Sequence, residues 1–307
     1  MRILDSKAFD RARRFMLARG RPLDRALFLF RFEAGPAEDV RRALSAYRND
    51  DGGFGDGLEP DFQLPASSPM ATSHAFHALR EIGAGDDDAL VAGAIRYLLE
   101  QVDPSREGWR DVPPEVNDFP HAPWWNRDAS GTADPNFEWG NPDADIVAAL
   151  HEHAALVPPD LLDDMTRTAL ERLASTPAPC PRYLAVCYLR LADAAPAAVR
   201  ATIVSRLRAD ARSILDLDAT ALDAGEMQSW WLAGSPDSPL ADLLQPELDA
   251  NLDREIARQH ADGYWEPRWT WGGAYPEGWA RARSELLGSE SLRTLLALRA
   301  WGRIEGA

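Results

Sequence analysis

The 307-residue sequence predicts an all-α protein, a closed (α/α)6 toroid of six helical hairpins, and three observations carry that expectation. Apolar residues recur at helical spacing along most of the chain, with hardly a stretch of strand-like alternation. Twelve helical stretches can be read, which pair into hairpins of about fifty residues, the length of one unit in a stacked helical array. Eight of the eleven tryptophans fall in two loops: Trp109, Trp124, Trp125 and Trp139 in 103–142, and Trp265, Trp269, Trp271 and Trp279 in 259–287. Loops that close over one mouth would gather aromatic residues in this way, which favours a ring over an open solenoid of the same hairpins.

The first helix is expected over 5–18, where Phe9, Ala12, Phe15 and Met16 share a face, and the second, apolar nearly all round, over 23–32. Gly35-Pro36 opens a third, with Val40, Leu44 and Tyr47 as its stripe. A fourth covers 70–82 and stops at Gly83. Asp86-Asp87-Asp88 then supplies carboxylates to the N-terminus of a fifth over 89–101, where unpaired N–H groups attract them. The segment 103–142 has no helical period, but its aromatic content argues against disorder, and ordered loops of that length are usually functional. Helices resume over 143–155, 159–174, 182–192, 196–212, 219–232 and 246–258, and the last, over 289–301, follows the second aromatic loop. Nothing resembles an interdomain linker, so residues 1–307 are expected to form one domain.

A net charge of −16 argues against a nucleic-acid partner and against an anionic membrane surface. The N-terminus runs straight into an amphipathic helix with no signal-peptide core, and no apolar run reaches the length of a membrane span, so a cytoplasmic protein is expected. Cys180 and Cys187 are too far apart along a helix to bridge and read as buried small hydrophobes. Lys7 is the only lysine among 33 basic residues and lies in the first turn of the first helix, which removes Schiff-base and pyridoxal chemistry. No cofactor is expected. His74 and His77 share a helix face and His151 and His153 sit two apart, but neither pair has the further ligands of a metal site.

The stretch Tyr47-Arg48-Asn49-Asp50-Asp51-Gly52-Gly53-Phe54-Gly55 joins two helices through glycines that permit positive φ, and Gln259-His260-Ala261-Asp262-Gly263-Tyr264-Trp265 repeats its logic. Each precedes a helix that starts in small residues, Ser67 to Leu79 in one case and Gly288 to Leu298 in the other. On these residues the chain resembles the prenyltransferase and squalene-oxidase ("QW") repeat family of the triterpene cyclases and protein prenyltransferases. The segment 118–125 is similar to one in many bacterial proteins with squalene-cyclase-like repeats. The resemblance implies a terpenoid-cyclase-like toroid. Protein prenyltransferases of that kind use an Asp-x-Cys segment, which is absent here.

Candidate site residues follow the loops. Asp51 is expected to brace the first glycine loop, whereas Glu59 and Asp61 come after it and can face a central funnel. A carboxyl desolvated among aromatics has a raised pKa and can act as a general acid. His121 is the one catalytic histidine candidate, with bracing of loop backbone the competing role. Asp216-Leu217-Asp218-Ala219-Thr220-Ala221 resembles the Asp-x-Asp-Asp-Thr-Ala acid motif of class II terpene cyclases except at Ala219; Asp218 is either that acid or a helix cap. Trp124, Trp125, Trp139, Trp269 and Trp271 are candidate substrate-binding walls, through cation–π stabilisation of a carbocation, stacking on a sugar, or packing as a lid. Glu277 completes the set, and Glu59 or Asp61 with Glu138 or Glu277 would be the carboxyl pair of a glycosidase. The leading expectation is acid-initiated chemistry on a small apolar, isoprenoid substrate. The alternatives are a carbohydrate-active toroid and a non-catalytic toroid that binds a ligand or partner.

Overall fold

Twelve α-helices and one two-residue hairpin form among residues 1–127, 139–215 and 228–306, the part of the chain that the computed structural model describes. Helix α1 (Ser6–Arg19) is capped by Asp5, whose carboxylate accepts from Ala8 N at 2.7 Å. Helices α2 (Pro22–Phe32) and α3 (Ala37–Ser45) follow. Ser68 caps α4 (Pro69–Glu81) at 3.1 Å from Ala71 N, and Asp88 caps α5 (Ala89–Glu100) at 2.9 Å from Leu90 N. Each such cap contributes about 1 kcal/mol, so the serine and aspartates fix where these helices begin. Strands β1 (Val102–Asp103) and β2 (Gly108–Trp109) pair antiparallel. Then come α6 (Asp143–Glu152), α7 (Pro159–Ser175), α8 (Arg182–Ala194), α9 (Ala197–Ile214), α10 (Ser229–Leu232), α11 (Ala241–Arg258) and α12 (Pro276–Ala300). Among the described residues no helix is long and apolar enough to cross a membrane.

Two helices begin earlier than their sequence signals. Helix α11 opens at Ala241 and absorbs Pro246, which forgoes only the bond to the carbonyl four residues back. Helix α12 spans 25 residues because Pro276 starts it and Gly278 and Gly288 stay within it. Both glycines serve packing: a Cβ at Gly278 would fall 2.4 Å from Pro120 Cβ, and one at Gly288 2.8 Å from Asp24 on α2. Of the helix expected over 219–232, residues 219–227 lie outside the described residues.

Helix packing follows chain order. Helix α2 packs on α3, α3 on α4, α4 on α6, α6 on α8, α8 on α9 and α10, and α9 on α11, while α12 returns to α1 and α2. The chain ends meet as well: Leu4 N donates to Arg303 O at 2.8 Å and Glu305 N to Leu4 O at 3.0 Å. The buried Arg303 guanidinium joins Arg2 O at 2.7 Å to Asp249 at 2.9 Å and also binds Asp253.

The two glycine loops are alike in detail. In the first, Asn49 N donates to Gly53 O and Gly52 N to Asn49 O, with Gly52 at φ +93°. In the second, His260 N donates to Tyr264 O and Gly263 N to His260 O, with Gly263 at φ +100°. The aromatic residue two positions later is fully buried in each, and its backbone N–H reaches the next long helix: Phe54 N to Thr72 Oγ1 and Trp265 N to Ser291 Oγ, both at 3.0 Å. A third copy occurs at the β-hairpin. Glu107 has φ +56°, Trp109 is buried, and Trp109 N donates to Asp143 Oδ1 on α6 at 2.8 Å. Even the indole N–H bonds correspond, Trp109 to Leu98 O and Trp265 to Glu255 O, each at 2.7 Å.

At Gly263 an alanine Cβ would lie 2.3 Å from the Arg11 carbonyl on α1, whereas at Gly272, also at positive φ (+59°), it would meet nothing. Gly263→Ala is expected to lower the urea-unfolding free energy by about 2 kcal/mol more than Gly272→Ala, because only the first adds a backbone clash to the φ strain.

Candidate functional site

Segment 59–63 is held by the middle loop. Ala122 N donates to Asp61 O at 2.7 Å, Gln63 N donates to Pro120 O at 2.9 Å, and Phe62 pairs with His121 in an antiparallel bridge. The Phe62 ring is buried edge-on against Trp125, with centroids 5.2 Å apart. This anchoring aims the Asp61 carboxyl at the last aromatic loop. Trp271 Nε1 donates to its Oδ1 at 2.9 Å, and Trp269 Nε1 to its Oδ2 at 3.0 Å.

Asp61 is only 7% exposed. Burial, then the charge of Glu59, push its pKa up to about 7, against the two indole N–H bonds that favour the carboxylate. Glu59 goes the other way. Burial would raise it, but pairing with His74 Nδ1 at 3.0 Å, the Asp61 N–H at 3.0 Å and the nearby Arg21 hold it below its ordinary value. Two adjacent carboxyls thus carry different protonation states near neutrality, the arrangement from which acid and base roles are made.

A polar wall continues from Glu59 across three helices. On α4 the rings of His74 and His77 lie 5.0 Å apart, and His77 Nε2 donates to Asp145 Oδ2 on α6 at 2.6 Å. Arg190 on α8 reaches the same oxygen at 3.0 Å. Burial and the Arg190 charge lower His77 to about 3, so its imidazole is neutral and the charged pair is Asp145 with Arg190. Tyr183 and Arg190 are seven residues apart on α8 and share its face. Tyr183 meets Trp231 of α10 at 6.1 Å, and Arg293 of α12 lies over the same indole at 4.9 Å. Arg293 Nη1 is 3.3 Å from Glu290, which burial raises and whose charge in turn helps to raise Asp61. Burial also raises the Tyr183 phenol although 55% of the residue is open to solvent.

The sequence candidates divide accordingly. Glu59, Asp61, Trp269 and Trp271 come together. His121 is 1% exposed, with Nδ1 donating to Phe119 O at 2.6 Å and Nε2 meeting the Asn126 amide at 2.7 Å. Both nitrogens are engaged in bracing the loop, the competing role that the sequence offered. Trp125 packs in the core and Trp124 against it, while Trp139 donates to Glu107 O at 3.0 Å and belongs to the third loop. Glu277 is exposed in the first turn of α12. Asp218 and Glu138 lie outside the described residues. Asp51 braces its loop, accepting from Gly53 N at 2.9 Å and Ser67 Oγ at 2.8 Å. Sequence reasoning set aside His74 and His77 and passed over Asp145, Tyr183, Arg190 and Glu290; the helical spacing of the histidines and of Tyr183 with Arg190 was the available signal. Among the described residues no three His, Cys, Asp or Glu side chains are grouped to hold a metal ion. No protein-family model and no curated protein matches the chain.

Because Asp61 has a higher pKa folded than unfolded, the folded state binds the extra proton between about pH 4 and about 7, and stability falls as pH rises through that window. Each unit of the shift corresponds to about 1.4 kcal/mol. Asp61→Asn is expected to remove that decline, so the variant gains on the wild type by a few kcal/mol between pH 4 and pH 8 in urea titrations. Parallel pH profiles for the two proteins would show that Asp61 titrates normally.

Proposed function

We propose that the protein is a general-acid enzyme built on an (α/α)6 toroid, in which Asp61 delivers a proton to a hydroxylated, carbohydrate-class substrate. The observation that carries this reading is the Glu59–Asp61 pair: one ionised carboxylate keeps a proton on its neighbour near pH 7, beside a wall of charged and hydrogen-bonding groups. The toroid is supported by three equivalent loops, by helix packing in chain order, and by the return of α12 to α1 and α2. Protonation of a glycosidic oxygen needs an acid with a pKa near the working pH, and the Arg190 and Arg293 guanidiniums can donate to sugar hydroxyls.

An isoprenoid substrate, protonated at an alkene in the manner of a class II cyclase, is the second reading. It draws on the repeat resemblance and on the position of Asp61 between two indoles. Against it, an apolar chain laid along this polar wall would desolvate Arg190, Arg293 and Glu59 without replacing their water.

As proton donor, Asp61 predicts a kcat/KM on glycosides that falls as pH rises through about 7, and a loss of about 10²-fold or more in Asp61→Asn. Glu59→Gln removes the charge that raises Asp61, so the falling limb should move to lower pH. Undiminished turnover by Asp61→Asn would end the general-acid reading. Turnover of squalene or prenyl diphosphates with none of glycosides would replace the carbohydrate reading with the isoprenoid one.

A further inference from the structure

We propose that His74 is the general base of the reaction: oriented by Glu59, its Nε2 takes the proton of an attacking water while Asp61 protonates the leaving oxygen. This rests on the carbohydrate reading above and supplies its missing partner, since hydrolysis needs a group that activates water as well as one that releases the alcohol.

The imidazole has one nitrogen bound and one open. Nδ1 lies 3.0 Å from Glu59 Oε2. An ionised carboxylate can only accept, so Nδ1 carries the hydrogen and, in the neutral ring, Nε2 carries the lone pair. Nε2 meets no hydrogen-bond partner among the described residues and is not sealed from water, with 30% of the side chain open to solvent. A carboxylate that fixes the tautomer of a histidine and leaves its second nitrogen free is the arrangement that makes imidazole a base in hydrolytic triads.

The neighbouring groups are committed elsewhere. Glu59 is engaged at both oxygens, Oε1 by the Asp61 N–H at 3.0 Å and Oε2 by His74. His77 gives its Nε2 to Asp145 at 2.6 Å. Arg21, just before α2, and Arg190 on α8 are each paired with a carboxylate, Asp24 at 2.8 Å and Asp145 at 3.0 Å. His77 lies 5.0 Å from His74 and is neutral, so it adds no like charge when His74 becomes imidazolium, and Glu59 stabilises that cation. The Glu59 carboxylate also joins acid to base. Two bonds of 3.0 Å and the width of one carboxylate separate the Asp61 backbone nitrogen from His74 Nδ1, about 8 Å at most. Asp61 and His74 are thus neighbours that share no hydrogen bond, and inverting hydrolases keep acid and base about 6.5–9.5 Å apart so that a water fits.

In the step, the water oxygen bonds to the anomeric carbon and yields its proton to His74 Nε2. The glycosidic C–O bond breaks with its electron pair on the leaving oxygen, which takes the proton of Asp61. One displacement inverts the anomeric configuration. Solvent then removes the proton from His74 and returns one to Asp61.

The test incubates the full-length wild type, His74→Ala and His74→Gln with cellotetraose, xylotetraose, mannotetraose and maltotetraose, and reads rates and the anomer first formed by proton NMR. His74→Gln keeps an N–H for Glu59 and covers the case in which His74→Ala folds poorly. Both variants are expected to lose about 10²-fold or more in kcat on the tetrasaccharide that wild type cleaves best. Added azide, which attacks without losing a proton, should restore cleavage in both and give the glycosyl azide of inverted configuration. A histidine with a merely structural role gives no such rescue. Retained configuration in the wild-type product, full turnover by His74→Gln, or lost turnover without azide rescue in a folded variant each overturns the base and leaves the carbohydrate reading intact. Cleavage of none of the four by the wild type overturns both.

Discussion

The bond from a buried aromatic residue's backbone N–H to an oxygen on the next long helix is the constraint on which this fold depends. It occurs at Phe54–Thr72, Trp109–Asp143 and Trp265–Ser291. Each aromatic side chain buries roughly 150–250 Å², or about 4–6 kcal/mol, whereas the bond itself contributes about 1 kcal/mol. The aromatic ring thus supplies the stability and the bond supplies the register. A buried N–H without its acceptor would cost about 1–3 kcal/mol, so the ring can sink only where a hydroxyl or carboxylate waits. The positive φ two residues earlier turns the chain so that ring and N–H reach their places together, and Gly52 and Gly263 take it without strain.

Once these three junctions are set, the segments that leave them have little freedom. Asp61 follows Phe54 by seven residues and Trp269 follows Trp265 by four, and the first and second glycine loops deliver them to one point. The segment between β2 and α6 does the intermediate work. His121 stiffens its own loop through both ring nitrogens, and the same loop pairs with Phe62 and receives Asp61 O. A histidine that does not touch the acid therefore sets where the acid stands. The candidate site is a consequence of the repeat, assembled from what comes just after each plug.

Much of this was legible in the sequence where the signal was local. The carboxylates that start α5, the two glycine loops, the bracing role of Asp51 and the candidacy of Glu59 and Asp61 after the first loop all rest on residues close together in the chain. The third loop escaped because Glu107 holds the positive φ that glycine holds elsewhere and because Asp143 stands where Thr72 and Ser291 stand in the other two, so composition alone conceals the copy. Helix α12 was read short because Gly278 and Gly288 look like breaks; they are tolerated because Pro120 and Asp24 press against them. His77, Asp145 and Arg190 owe their places to partners on other helices. No spacing within one helix reveals that Asp145 lies between a histidine 68 residues before it and an arginine 45 residues after it.

The opposing influences on Asp61 explain why its pKa falls near neutrality rather than far above it. Burial and the Glu59 carboxylate both disfavour its charged form, and a carboxyl with only those neighbours would be raised further still. The indole N–H groups of Trp269 and Trp271 act on the other state, since they hydrogen-bond the carboxylate anion. A donor works best when its pKa is close to the working pH, because the protonated fraction and the driving force for transfer then stay large together. Pairing Glu59 with His74 matters for the same reason: it keeps that neighbour ionised, and so keeps the proton on Asp61 rather than shared between the two carboxyls.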